Sequence, residues 1–525
     1  MNYIYSRKII FSLSIIILIA ALLRITFLSE VPGGFNCDEA LNGYEAYSIL
    51  ETSRDRYGKL LPLFTRAFNS YRPTLYIFAA IPSVKIFGLN EFGVRFPSAF
   101  FGVLTVWMVF LIVKHVFSPK WALISAFMLA INPWHIHFSR SAYEASLLPF
   151  LFCLGYWLFL KSFKKPTYLI FSAIFFSMSL NTYHAARVFV PLFLMGLIII
   201  YKKHIIDNFK QSIAAFIAFN TIFIPIFKFW ISPQGMARAS QVGIETSLSK
   251  IIINYISFFN PKYLFWDGFE DLSLNPVGIG CFYYFEFVTI GLCALFLAKR
   301  GNKNQKTLLF WLFLYPIPAA LVDTVNPLRT LAGAPIFAIL SGCGVAIIKN
   351  YLEAILNRSA FKLACIFLVS FMMSGFTYFF THYYTNYPPE ALFSWKYGLR
   401  EAIQYAENHS YSCVIMSSDR NSNCYAIHDF ISHVPFYTQY PPEKYQRSPI
   451  SPLVGDSQAN IYSLGKYSLA SIENQTKLNE RCLYIIRPDE LITLDSKGYA
   501  WKEVYAIEDN RNITYFKLVE IYDLS

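Results

Sequence analysis

Charge is what this chain has least of: Asp, Glu, Lys and Arg make up 15% of its 525 residues, against 55% hydrophobic and 18% aromatic residues. A soluble domain carries roughly 25% charged residues, so that class fits poorly and a polytopic membrane protein fits well. The net charge of +12 is not a continuous basic patch. Its Lys and Arg stand in short clusters between apolar runs, which argues against a nucleic-acid partner. No internal repeat or low-complexity segment stands out, and no His pair has the HExxH spacing of a metal helix. His135 and His184 therefore read as structural or headgroup-level histidines. The first 24 residues have the charged start and apolar middle of a signal peptide but lack a small-x-small cleavage site, so they read as a retained signal anchor. Nine cysteines fit neither a zinc pattern nor a paired framework. Cys153, Cys293, Cys343 and Cys365 fall in apolar spans, where packing explains them, while one disulfide among Cys413, Cys424 and Cys482 is open if that region is extracytoplasmic.

What the chain does have is apolar length. A bilayer core needs about 20 apolar residues per helix, and eleven stretches meet or approach that, centred near Ile17, Val106, Phe127, Phe152, Ile174, Leu194, Ala218, Ile290, Leu314, Ile339 and Leu368. With eleven spans, Arg7 and Lys8, Lys114 and Lys120, Lys161 to Lys165, Lys202 to Lys210, Lys299 to Lys306, and Lys349 to Lys362 all fall on one face, which becomes cytoplasmic. The other face receives Asp38 and Glu39, the loop around Glu144, residues 232–275, the Asp323 to Arg329 loop and everything after about Tyr383. Thr74 to Phe87 is apolar but too short to span and reads as an interfacial helix of the first outer loop. In residues 232–275, Tyr255, Phe258, Phe259, Tyr263, Phe265 and Trp266 read either as an aromatic belt or as lipid contacts. From Tyr387 onward the segments SCVIMSS, RCLYIIR and NITYFKLVEI alternate with helix-like stretches such as SWKYGLREAIQYAE, which predicts a small α/β domain outside the membrane. The expected architecture is an α-helical polytopic membrane domain over 1–383 and an extracytoplasmic α/β domain over 384–525.

Acids beside hydrocarbon are costly unless solvated, paired or used. Asp38 and Glu39 follow Gly33 and Gly34 among apolar and aromatic neighbours, a setting that can tune a carboxylate as general base, although two acids in a wet loop would need no such role. Glu144, four residues after Arg140, reads as half of a helical ion pair or as a second acid that coordinates a cation or orients an acceptor hydroxyl. Outer-face cations are few: Arg72, Arg95, His184, Arg187, Lys262 and Arg329. Each could snorkel or pair, and an arginine fork can also clamp a phosphate.

In order, GFNCDEALNGYEAYSIL, SYRPTLY, GLNEFGVRFPSAFFG, NPWHIHFSRSAYEA, NTYHAAR, FFNPKYLF and NPLR resemble the polyprenyl-phosphate-sugar-dependent GT-C glycosyltransferases, the superfamily of protein O-mannosyltransferases and aminoarabinose transferases. The resemblance covers about residues 10 to 383. It implies inverting transfer on the outer face from a polyprenyl-phosphate-linked sugar to a protein, lipid or glycan acceptor, in contact with membrane lipid. It makes Asp38 the base, Glu39 its support and Glu144 the acid after the third span, where the family more often has Asp. Arg72 begins a segment where the family has two prolines and this chain has Pro73 and Thr74. Arg187, Arg329 and Lys262 become the phosphate contacts, with Arg72, Arg140 and His184 also on the substrate side. The resemblance leaves a divalent cation open. The rival readings are a transporter or lipid-sugar flippase and a non-catalytic scaffold; the ionisable residues in outer loops and the lack of a repeat favour the enzyme.

Overall fold

All eleven apolar centres lie within helices of the computed structural model, which describes residues 2–68, 70–276, 278–322, 325–418, 426–447, 462–475 and 478–523. Six helices among the described residues are long and apolar enough to cross a membrane: Arg7–Ile25, Glu91–Val116, Glu144–Ser162, Phe209–Trp230, Leu331–Ile355 and Arg358–Ala391. The other five centres lie in helices of 12 to 15 residues. Such a helix rises only roughly 18 to 22 Å, less than a bilayer core. Length and composition alone thus give six spans, where the apolar centres suggested eleven.

The chain divides into two compact units, one of Met1–Leu28, Pro73–Tyr76 and Phe96–Tyr387, the other of Ser29–Arg72, Ile77–Arg95 and Pro388–Ser525. In the first, Phe152 packs against Phe176, Phe189, Phe193 and Trp311 at centroid separations of 4.7 to 5.6 Å. Edge-to-face aromatics of this kind fill a helical core without polar atoms. Phe209–Trp230 and Arg358–Ala391 instead turn large apolar side chains outward, with Phe216 69% and Phe367 73% exposed. Only a hydrocarbon surround makes such faces inexpensive. In residues 232–275, Phe258, Tyr263 and Phe265 are buried in protein while Trp266 is exposed. Belt or lipid contact therefore describes only part of that aromatic group.

The second unit contains two sheets. Strands β1 (Phe64–Ala67) and β2 (Ser70–Pro73) form a two-stranded ribbon in the first loop, followed by the helix Leu75–Phe87. Strands β3 (Val414–Ser417), β4 (Tyr462–Leu464), β5 (Tyr467–Ala470), β6 (Leu483–Ile486), β7 (Tyr499–Glu508) and β8 (Thr514–Asp523) form a sheet of order β4-β5-β3-β6-β8-β7. β3 is parallel to both β5 and β6, and the remaining pairs are antiparallel. Three of these strands coincide with the alternating segments read from sequence. β4, β5 and β7 were not anticipated, because YSL and YSLA are short and β7 is largely solvent-facing. The helix Leu399–Asn408 starts after Gly398, at φ +93°, later than the stretch beginning at Ser394 suggested.

Val414 pairs with Leu483, so the residues just before them, Cys413 and Cys482, stand side by side and form a disulfide. Cys424 lies outside the described residues, as does Asp323. The bridge joins the cluster of Ile415, Tyr484, Ile486, Val519 and Ile521. It links residues 69 apart, and the loop-entropy model gives such a closure about 4 kcal/mol. Replacing both cysteines by serine is expected to lower the melting transition of the full chain clearly. An unchanged melting curve would show that the sheet does not need the bridge.

Helix Cys37–Thr52 packs on helix Ala426–Tyr437 within this unit. Gly43 permits the approach: a Cβ there would come within 2.5 Å of the Phe436 ring and 2.6 Å of Val94. The segment after the first long helix and the C-terminal segment, nearly 400 residues apart in sequence, therefore share one core.

Candidate active site

Asn36 starts the helix Cys37–Thr52 from extended backbone, and its side chain accepts the Asp38 N–H at 3.0 Å. Glu39 closes the capping box by accepting the Asn36 N–H at 3.1 Å, which satisfies two of the donors that a helix start leaves open. The same carboxylate is gripped by Arg95, Nε to Oε1 at 2.9 Å and Nη2 to Oε2 at 2.8 Å. Both side chains of this pair are fully buried. Arg95 also donates to the carbonyls of Pro32 and Gly34 at 3.1 and 2.8 Å, and its guanidinium lies over the rings of Phe35 and Trp395. One buried arginine thus ties the glycine loop to the first turn of the helix. Gly34 has φ +94°, and a Cβ there would run into the Trp395 carbonyl, so the loop tolerates little else.

Asp38 is the member of the pair that faces out, with its side chain 39% exposed. Arg72, held on β2, donates Nη2 to Asp38 Oδ1 at 2.7 Å and Nη1 to Asn42 Oδ1 at 3.1 Å. Asp38 Oδ2 has no hydrogen bond among the described residues. A carboxylate anchored through one oxygen and open at the other is placed to take a proton from an incoming hydroxyl.

The C-terminal segment adds groups that the sequence reading missed. Asp429 accepts from the Cys37 thiol at 3.0 Å and from Lys396 Nζ at 3.3 Å. Burial pushes the Cys37 thiol up, and Asp429 adds to the shift. His428 stacks 3.9 Å from the Phe68 ring, which also carries the Arg72 guanidinium at 5.9 Å. Burial lowers His428 below the usual imidazole value, against the opposing pull of Asp429 and Asp38. It is therefore neutral at physiological pH. The one local signal for this arrangement was the N-x-x-E box at Asn36–Glu39. Nothing local marks Lys396, His428 or Asp429.

The structure thus brings Asp38, Glu39, Arg72 and Arg95 together in one unit; the remaining candidates belong to the other. There, Arg140 is fully buried and donates to the carbonyls of Leu23 and Phe27 at 2.9 Å each, closing the end of the first helix. Arg140 ends the helix Pro133–Ser139, and Glu144 opens a separate short 3₁₀ turn, Glu144–Leu147. The two are not on one continuous helix, so helical i, i+4 spacing does not describe them. His135 takes a hydrogen bond from Arg24 at 2.8 Å, in keeping with a structural histidine. His184 is half-buried, two residues before the helix Ala186–Ile200, which carries Arg187. Arg187 donates Nη1 to the Gly235 carbonyl at 3.3 Å and lies over the Trp230 ring at 5.0 Å. Its Nε and Nη2 are buried without a partner among the described residues. Arg329 is half-buried in a turn whose amides Asn326 caps. Lys262 is exposed and bonds Asp267 at 2.9 Å, which holds its ammonium above the usual lysine value. Among the described residues no three His, Cys, Asp or Glu side chains converge as a metal cluster.

Comparison with known proteins follows the same lines. The model of the dolichyl-phosphate-mannose-protein mannosyltransferase family matches residues 72–228, a stretch that takes in Arg72, Arg140, Glu144, His184 and Arg187. A Bacillus subtilis (strain 168) protein named "Putative mannosyltransferase YkcB" is 32% identical over 94 residues, which are 18% of this chain and only 13% of that protein's length. The crystal structure of ArnT from Cupriavidus metallidurans bound to undecaprenyl phosphate superposes with a TM-score of 0.62 over 99% of both chains at 10% identity. Its apo state gives 0.60 over 98% of both at 11% identity. The chain thus shares the fold of ArnT from end to end, and residues 72–228 match the model of the dolichyl-phosphate-mannose-protein mannosyltransferase family.

Proposed function

We propose that this protein transfers a sugar from a polyprenyl-phosphate carrier to an acceptor hydroxyl on the outer face of the cytoplasmic membrane, with inversion at the anomeric carbon. The observation that carries this reading is Asp38, anchored through Oδ1 by Arg72 and open at Oδ2. The acceptor hydroxyl gives its proton to Asp38, and its oxygen bonds to the anomeric carbon opposite the leaving group. The bond from that carbon to the carrier phosphate oxygen breaks, and polyprenyl phosphate departs with the electron pair. Glu39, wholly enclosed with Arg95, positions Asp38 by fixing the first turn of its helix.

With all eleven apolar helices crossing the bilayer, the basic clusters share one face, and that reading supports an outer-face site and a cytoplasmic N-terminus. The Cys413–Cys482 disulfide suits the same oxidising side. For the carrier, Arg187 is the strongest candidate: two buried guanidinium nitrogens without a partner among the described residues call for an anion. Arg329 comes second. Lys262, exposed and already paired with Asp267, comes third. ArnT bound to undecaprenyl phosphate has the same fold, which is consistent with a carrier of this kind.

The test is transfer by purified protein in liposomes from a synthetic polyprenyl-phosphate hexose, with the product anomer read by NMR; a product that retains configuration would remove the single-displacement mechanism. Arg187→Ala and Arg329→Ala are each expected to raise the apparent donor KM about tenfold or more, since a charge-assisted hydrogen bond contributes roughly 1.5–3 kcal/mol. Unchanged donor KM in both variants would take them out of the phosphate site.

A further inference from the structure

Two clefts of about 440 and 240 Å³ open within the unit that carries Asp38, and they share Glu91, Arg400, Glu401 and Tyr437 in their walls. That wall is built rather than accidental. Glu91 has a 9% exposed side chain. It accepts the Tyr437 hydroxyl at 2.9 Å and Arg400 Nη1 at 3.4 Å, while Arg400 turns Nη2 to Glu401 at 3.1 Å. The larger cleft adds the exposed carboxamides of Gln404 and Gln439, whose side chains have no hydrogen bond among the described residues. Gln439 is held at φ +46°, a backbone region that a residue with a side chain enters at a cost and that tends to mark ligand sites. The smaller cleft reaches Lys396, whose ammonium meets Asp429, the acceptor of the Cys37 thiol. The smaller cleft is therefore bounded at Phe35 and Lys396, beside the start of the helix that carries Asp38.

The lining selects among ligands. Three carboxylates, Glu30, Glu91 and Glu401, face one guanidinium and one ammonium, so the lining disfavours an anion and carries too small an excess to demand a cation. Apolar side chains are few, which disfavours an acyl chain. What remains is a ligand that donates and accepts at neighbouring positions, as the vicinal hydroxyls of a pyranose do. Such hydroxyls pair with fixed carboxylate, guanidinium and carboxamide groups. Tyr397, half-buried in the smaller cleft, offers a ring for the apolar face of a sugar.

The geometry points to these clefts as the seat of an uncharged glycan acceptor, lying along Gln404, Glu401 and Arg400 in the unit that also carries Asp38. This rests on the transferase reading, and the binding arm of its test needs no donor. Full-length protein in nanodiscs is titrated with the methyl glycosides of mannose, glucose, galactose and N-acetylglucosamine by saturation-transfer NMR. At least one is expected to bind at millimolar concentration. The Glu401→Gln/Gln404→Ala variant should weaken that signal at least fivefold, as should Tyr397→Leu, tested separately. With a glycan acceptor, the double variant should raise acceptor KM about tenfold and leave donor KM unchanged. Equal binding by wild type and both variants, no binding of any glycoside, or stronger binding of glucose 6-phosphate than of the glucoside would each overturn the proposal. Asp38→Asn protein should bind the glycosides as wild type does. If wild type binds them yet transfers no sugar from any polyprenyl-phosphate donor, the transferase reading has failed, and with it the acceptor role.

Discussion

Replacing Asp38 by asparagine is expected to lower sugar transfer by about 10² to 10⁴-fold, the usual contribution of a general base, while leaving the protein folded. Asparagine keeps the size of the side chain and can still accept from Arg72 through its carbonyl oxygen. The helix cap is unaffected, because it uses the Asp38 backbone N–H and not its carboxylate. Arg72 is only 8% exposed against 39% for Asp38, but asparagine leaves its guanidinium an acceptor, so the loss is that of a charge-assisted relative to a neutral hydrogen bond, about 1–2 kcal/mol. Transfer rate and thermal melting should therefore separate, the first collapsing and the second shifting only slightly. Purified Asp38→Asn protein that transfers sugar at the wild-type rate would sink the assignment.

The opposite pattern is expected one residue along. Glu39 and Arg95 form a bidentate pair with no solvent access, and removing one partner of such a pair leaves an uncompensated buried charge, at about 3–5 kcal/mol. Arg95→Met also strips hydrogen bonds from the Pro32 and Gly34 carbonyls, and Glu39→Gln weakens the closure of the capping box. Both single variants should melt well below wild type and lose activity through loss of structure around Asp38. A Glu39→Met/Arg95→Met double variant should recover part of the stability of the singles, because both charges then leave the interior together. Singles as stable as wild type would mean that this pair does not hold the site. Restored stability without restored activity would show that the pair also sets the orientation of Asp38.

The two acids, adjacent in sequence, thus have different work for a reason that the sequence shows only in part. The N-x-x-E spacing marks Glu39 as a capping residue, which is a local signal. That it is also buried against Arg95, 56 residues on, is not local. The same holds for Arg72, which reaches Asp38 only because the β1–β2 ribbon returns the chain to the start of the helix. The ribbon was not anticipated, since four-residue strands within a long loop carry too short a period to read. For Arg187 the sequence marked a cation as a candidate, but that two of its nitrogens are buried without a partner among the described residues depends on tertiary packing.

What the sequence determined by itself is the membrane class, the place of every apolar helix centre, three strands of the C-terminal sheet and the position of Asp38 beside the first span. Each of these follows from hydrophobic length or short-range period, which neighbouring residues impose on one another. Only the tertiary structure decided that the segment after the first long helix and the C-terminal segment form one core, that Glu39 is enclosed while Asp38 is open, and that Lys396, His428 and Asp429 lie around the start of the helix Cys37–Thr52. Those pairings join residues tens to hundreds of positions apart. They are selected by packing and by the need to neutralise buried charge, neither of which leaves a mark on the residues next in the chain.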